Sequence, residues 1–328
     1  MKARLWLAGA VLAAALPARA QQVCTGGTAV QDACTKTVDL INFITPQLST
    51  ALAGGNATLG QGGTLAGWGH FAIDVRGTAV RGALPNLDNV GLNTSGAQAS
   101  TFTAEEQFVP AVSANAAIGL WRGYSLGVSH IGGVDALVTA TYLQDVEGGD
   151  VKLTLTGGNL KFGYGVRVGL LEESLLAPGV AVTYLKRDLP TMSIVGTVSS
   201  SGTGTGSDGK IELHSYSVKT TAWRVTASKN LLIFGFVAGY GQDKYESSGA
   251  VAVTVNAPGG AQEGDGSTKL SMTRTNMFGG LSVNLLLFKV VGEIGKVSGG
   301  SVPTPLNNFG ASATESRTYY TLGVRIAI

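Results

Sequence analysis

Few residues in this chain are of types that could do chemistry, and most are poorly spaced for it. Gly123-Tyr124-Ser125-Leu126-Gly127 fits the G-x-S-x-G pattern that raises a nucleophilic serine on a strand-to-helix turn, and His130 follows closely. A nucleophile elbow needs a buried strand before the serine and a helix after it. Residues 121–124 read instead as a tight aromatic turn, and residues 128–133 are Gly-rich and non-helical. In one continuous strand Ser125 and His130 would also point to opposite faces. His70, His130 and His214 have no metal-ligand spacing. Residues 202–206 carry the glycines of a phosphate loop without its Lys or following helix, and residues 145–150 read as a solvated acidic loop. No catalytic residue, metal or cofactor is expected, and the chain is not read as an enzyme.

The informative chemistry lies in charged residues that share the parity opposite to apolar rows: Asp74, Arg76, Asp135, Lys161, Arg167, Arg224, Arg274, Lys289, Glu293 and Arg325. Successive side chains of a strand point to opposite faces, so these charges back rows such as Phe71, Ile73, Val75 or Leu160, Phe162, Tyr164, Val166, Val168, Leu170. If the apolar rows meet lipid, the charges face a lumen, because an ionised group facing hydrocarbon costs about 2–4 kcal/mol at the bilayer midplane. They would either pair into a network that fills a small barrel or line a narrow, mildly cationic path.

The elements that must position these residues are strands. From Trp68 onward the hydrophobic period is two, and roughly ten alternating segments follow (range about 8–14). Long connections follow the odd segments and tight turns follow the even ones, as an up-and-down barrel with both ends on one side requires. Residues 81–108, 201–209, 256–266 and 299–315 read as long loops. The fifth and seventh segments run past the ~9–11 residues that a bilayer needs. Glycine is 48 of 328 residues, roughly double the usual share, and charged residues are 13%, about half the ordinary level. The expected fold is therefore all-β: an antiparallel transmembrane barrel over residues 65–328.

Ahead of it stands a different pattern. Residues 1–20 form a secretory signal: Lys2 and Arg4, an apolar run, then Ala18-Arg19-Ala20 as cleavage site. In residues 21–64, Val38, Ile41, Ile44, Leu48 and Leu52 recur at helical spacing. Thr45-Pro46 fits an N-cap and a first-turn proline, so the reading is two short helices or one kinked helix. Cys24 and Cys34 are expected to pair in an oxidising compartment. This segment would be a plug inside the barrel or a periplasmic cap below it, with residues 60–63 as a flexible entry. Without Lys2, Arg4 and Arg19, the 23 Lys and Arg fall to 20 against 21 Asp and Glu. The mature chain is near neutral and carries no basic stripe, which argues against nucleic acid as a partner.

The last nine residues send Tyr320, Leu322, Val324, Ile326 and Ile328 to one face and Thr321, Gly323, Arg325 and Ala327 to the other. The stretch resembles the C-terminal assembly signal of bacterial outer-membrane barrels, carried by Thr321, Gly323, Ile326 and Ile328, with Ile in place of the usual final Phe. That resemblance implies the bacterial outer membrane as location, its lipid as surroundings and the barrel-assembly machinery as a partner. The layout as a whole, with Gly60-Gln61-Gly62-Gly63 between an N-terminal hatch and a barrel, resembles the outer-membrane transporters of fatty acids and aromatic hydrocarbons (FadL-type). The Asn-Pro-Ala element of that hatch is missing; Asn56-Ala57 is the nearest match. The expected function is passage of small apolar or amphipathic molecules, with a hydrophobic small molecule as partner. The alternative is a closed structural barrel or a surface adhesin that binds through its loops.

Overall fold

A computed structural model describes residues 23–86, 91–148, 151–199, 208–257, 260–302 and 306–328. The signal at residues 1–20, the loop at 202–206 and Asp150 lie outside the described residues. Ten antiparallel strands close into a ring: β1 (Phe71–Pro85), β2 (Ala104–Trp121), β3 (Val134–Tyr142), β4 (Leu160–Leu171), β5 (Gly179–Asp188), β6 (Asp208–Leu231), β7 (Phe234–Ala257), β8 (Gly260–Leu285), β9 (Phe288–Ser298) and β10 (Arg317–Ala327). Each strand pairs with its sequence neighbours, and β10 pairs with β1 in the register Gly323↔Arg76, Arg325↔Asp74. Phe71 and Ile328 exchange backbone bonds at 2.9 and 3.0 Å, which finishes the closure at the last residue. Full closure leaves no unpaired edge in the ring.

The strands are unequal. β6, β7 and β8 span 24, 24 and 26 residues, more than twice what a bilayer requires. Beside them, Met192–Ser199 pairs with β6 and Val151–Leu155 pairs with Met192–Gly196, so the wall continues upward above β3, β4 and β5. Two expected loops are shorter than the sequence suggested, the 81–108 loop losing both ends to strand and the 256–266 loop most of its length. β1 runs to Pro85 and β2 starts at Ala104, and β7 and β8 stay paired up to Ala257↔Gly260. Polar and glycine-rich residues masked these ladders in the sequence, because above the apolar belt both strand faces meet water or protein.

Of the two readings, two short helices or one helix through the proline, the structure has the second: α1 (Thr28–Ala53), with Pro46 inside it. Proline in mid-helix removes one backbone bond and normally kinks or ends a helix. Here packing on all sides outweighs that loss: α1 touches β1, β2, β6, β7, β8 and β10 and lies inside the ring. Thr45 does not cap a second helix; its Oγ1 donates back to the Ile41 carbonyl at 2.6 Å and meets the Tyr216 hydroxyl on β6 at 2.5 Å. Cys24 and Cys34 are bonded, with Cα atoms 6.0 Å apart, and tie the two-residue strand Val23–Cys24, which pairs with β8, to the top of α1.

Candidate functional site

The site is the lumen, and it has two tiers. In the upper tier, at the long-loop end, inward positions are apolar. Leu213 and Tyr216 of β6, Val251, Val253 and Val255 of β7, and Leu189 and Met192 form a buried collar around Val30, Cys34 and Val38 of α1. A register shift between His214 and Ser217 switches the parity of β6 at this height. Leu213 is thereby buried in the collar together with Val218. Over the mouth, Phe309 stacks on Phe43 of α1 at 4.4 Å and on Phe102 at 5.0 Å, while Phe102 donates its N–H to Asn308. Polar pins fix the helix within this apolar tier. Gln47 exchanges two bonds with the Ala83 backbone of β1, Thr268 donates to Asn42 at 2.8 Å, and Asn307 donates to Asp39 at 2.7 Å.

The lower tier is charged, and its charges hold the chain that follows α1. Guanidiniums take the carbonyls: Arg224 reaches Ala53 and Gly55 at 2.5 Å each, Arg187 reaches Ala53 at 3.2 Å, Arg76 bonds Asn56, and Arg325 reaches Leu59 at 3.0 Å. Carboxylates take the amides: Glu293 accepts from Asn56 at 3.1 Å, Asp74 from Leu59 at 3.2 Å, and Asp135 from Leu65 at 3.2 Å. The carbonyls at a helix C-terminus carry the negative end of its dipole, so cations belong there. Further bonds run between strands. Asp243 accepts from Arg224 at 2.7 Å and from Asn276 at 2.7 Å, Asp135 pairs with Arg167 at 2.7 Å, and Asp74 accepts from Asn115 at 2.6 Å.

Eight of the ten sequence-derived lumen residues are buried: Asp74, Arg76, Asp135, Arg167, Arg224, Glu293 and Arg325 in this tier, and Arg274. Arg274 stands higher than the clamp and donates to the carbonyls of Gly299, Thr314 and Glu315 instead. Lys289 is half-buried at the lower rim and donates to Asn230 at 2.7 Å. Lys161 keeps the inward parity, opposite Thr141, but its side chain is exposed and lies outside the clamp. Two members were missed, Arg187 and Asp243. Extending the alternation past Tyr184 and Tyr240 finds both, because they lie on the inward parity of β5 and β7.

The glycines of the join are there for close approach. A Cβ on Gly62 would stand 2.3 Å from the backbone of Ala227 and Ser228, and one on Gly60 2.8 Å from Val291. The reading of residues 60–63 as a flexible entry is corrected: side-chain-free backbone is pressed onto the wall. The serine-histidine geometry also differs from the expectation. Tyr124–Leu126 and Ser129–Ile131 form a small hairpin that pairs Ser125 with His130, so they share a face. His130 Nδ1 lies 2.6 Å from Glu172, and no hydrogen bond joins Ser125 to His130 among the described residues. His70 is exposed near the lower rim and His214 near the upper end. Asp145 accepts the Leu155 amide at 2.7 Å, and no cluster of three or more His, Cys, Asp or Glu suited to a metal occurs among the described residues.

The outer wall decides what surrounds the ring. Outward residues of β1, β4 and β10, such as Ile73, Val75, Phe162, Val166, Leu322 and Val324, are exposed apolar side chains. Tyr142, Tyr164, Tyr184, Trp223, Tyr240 and Tyr320 girdle the upper side of this belt, and Trp223 packs edge-on to Tyr240 at 6.3 Å. Trp68, Phe71, Trp121 and Tyr124 mark the lower side. An apolar band between two aromatic girdles, around a polar interior, suits a bilayer and no aqueous setting.

The fold is that of an outer-membrane β-barrel. No family profile and no curated protein matches the chain. Among solved structures it is similar to the TodX monoaromatic hydrocarbon channel (deltaS2 mutant), at 10% identity and a TM-score of 0.35, covering 79% of this chain and 66% of that one. It is also similar to the transport unit of the autotransporter AIDA-I from Escherichia coli, at 9% identity and a TM-score of 0.32, covering 88% of this chain and 98% of that one. A third is an anion-selective porin from Comamonas acidovorans, at 9% identity and a TM-score of 0.18, over 79% and 98% of the respective chains. The chain thus spans just under two thirds of the hydrocarbon channel's length.

Proposed function

We propose that this protein passes small apolar or amphipathic molecules across the bacterial outer membrane, with α1 and the chain after it as the gate. One observation carries the reading: the upper lumen is apolar, so the wall that α1 would uncover on moving is one that an apolar molecule can follow. Leu213, Val251, Val253 and Met192 face inward above the aromatic girdle and have no lipid to meet. Once α1 moves, that collar is a greasy mouth over a polar throat. Exchange between the two tiers requires breaking the backbone bonds of the clamp, which is a stepwise event because each charge holds one or two groups.

The clamp itself favours a second reading, a closed barrel that acts through its loops, since its charges are buried and mostly bonded. Locking the gate separates the two. Asn42 and Thr268 touch across the helix–wall boundary at 2.8 Å, and Asn42→Cys with Thr268→Cys would tether α1 to β8. In vesicles with a lipopolysaccharide outer leaflet, entry of the fluorescent amphiphile pyrene butanoate is expected to stop when the tether is oxidised and return on reduction. The native disulfide alone serves as the control. Entry at one rate in all states, or none in the unmodified protein, removes the passage reading.

A further inference from the structure

The lower end of the barrel has its polarity reversed. Its tight turns carry apolar tips: Leu175 and Leu176 after β4, Leu232 and Ile233 after β6, Leu286 and Leu287 after β8, with Leu232 98% and Leu175 92% exposed. Glu173 and Lys229, beside these tips, are partly buried and bond the neighbouring turn instead of water. Lys229 donates to the carbonyls of Leu175 and Ala177, and Glu173 accepts from Ser228 and Asn230. A turn that meets water has the opposite arrangement. Two of these turns repeat one motif, Asn230-Leu231-Leu232-Ile233-Phe234 and Asn284-Leu285-Leu286-Leu287-Phe288. In both, the first turn residue has a positive φ, 54° at Leu232 and 48° at Leu286, where glycine or asparagine is normally used and a leucine is strained. Asn284 reaches the Leu232 carbonyl at 3.3 Å and sets the two turns side by side.

Height supports the same conclusion. The outward, exposed Lys186, Lys244 and Lys296 stand above the upper girdle and mark where water begins. Ten residues separate Lys186 from Leu176, eleven separate Lys244 from Ile233, and nine separate Lys296 from Leu287. A strand tilted roughly 40° climbs about 2.5 Å per residue, so these spans are ~22–28 Å against an apolar band of about 25 Å. A water-exposed lower skirt would pull those lysines into hydrocarbon. Directly above the twin turns lies an outer-wall groove of about 320 Å³, lined by Phe234, Phe236, Leu281, Val283 and Val290 and floored by Gly292.

We infer that the turn tips are a membrane foot: they sit within the acyl region of the leaflet on the short-turn side, and the groove between β7 and β9 takes a phospholipid acyl chain. Its continuity with the lipid-facing belt names the occupant. Among the described residues there is no free thiol, so Leu232→Cys and Leu286→Cys can each be labelled with one bimane, and Ser312→Cys in an upper loop serves as reference. In vesicles of phosphatidylethanolamine and phosphatidylglycerol, labels at 232 and 286 are expected to be quenched at least twofold by acyl-brominated lipid and to resist iodide. The reference label should behave the opposite way. Quenching by iodide at 232 and 286 to the extent seen at 312 would overturn the inference. So would oxidative dimers of unlabelled Leu232→Cys together with bimane at 232 that bromolipid fails to quench in the labelled sample, which would assign the tips to a second copy of this chain.

Discussion

Arg224 shows what a single inward charge does here. It is 2% exposed, holds two carbonyls of the plug and is neutralised by Asp243, which is fully buried. Removing one partner of such a pair strands the other in a low-dielectric interior, at about 3–5 kcal/mol. Asp243→Ala is therefore expected to lower the unfolding free energy that a urea titration of the reconstituted protein gives by that amount. Glu106→Ala, which breaks the exposed Arg81–Glu106 pair, is expected to change it by no more than about 1 kcal/mol. Equal effects in the same titration would refute the assignment of Arg224 and Asp243 as a buried, mutually dependent pair of the clamp. Parity located Arg224 in the sequence because a charge cannot face lipid. The carbonyls that it binds were not legible, since backbone groups leave no mark in a sequence and Gly55 lies 169 positions away.

Among the elements, α1 and the segment after it are held by different forces. The helix is packed by the apolar collar and pinned at a few polar points, and its top is tied by a disulfide whose short loop contributes about 2–3 kcal/mol in the chain-entropy view. The segment after it buries Ala57, Leu59 and Leu65, fewer apolar side chains than the helix does, and is held mainly by the clamp and by close approach at Gly62. Gly62→Ala places a methyl 2.3 Å from the backbone of β6, so the join must lift from the wall. Planar-bilayer recordings are expected to show more frequent openings for this variant, while its far-ultraviolet circular dichroism stays that of the parent. A quiet trace with an unchanged spectrum would show that the join has slack and does not gate. The helix was legible from its period, but the sequence left open whether it continued through Pro46 or broke there. That outcome rests on packing from six strands, which supplies more than one lost hydrogen bond takes away.

For the molecule as a whole, closure is the decisive event. The ring is completed by pairing β10 with β1, and the last bonds are those between Phe71 and Ile328. Deleting residues 326–328 removes the pairs Ile326↔Ile73 and Ala327↔Ala72 together with that terminal exchange. The truncated chain is expected to lose the heat-modifiable, compact band that closed barrels give in unheated detergent gels. A persistent compact band would mean that the remaining register suffices for closure.

By itself the sequence determined the wall. Strands with an apolar parity of side chains and a small or charged opposite parity have one stable arrangement in a bilayer, a closed ring with charges inside, and the phase of long and short connections set its direction. The inward positions of Asp74, Asp135, Arg167 and Glu293 follow from that alternation alone. Tertiary structure decided everything that depends on curvature and distance: that the helix runs inside the ring, that Arg76, Arg187, Arg224 and Arg325 converge on one stretch of backbone, and that the upper lumen is apolar. Period-two reasoning ranks the two faces of each strand but carries no information about which strands face one another across the lumen. The contacts that could gate this barrel are of that second kind.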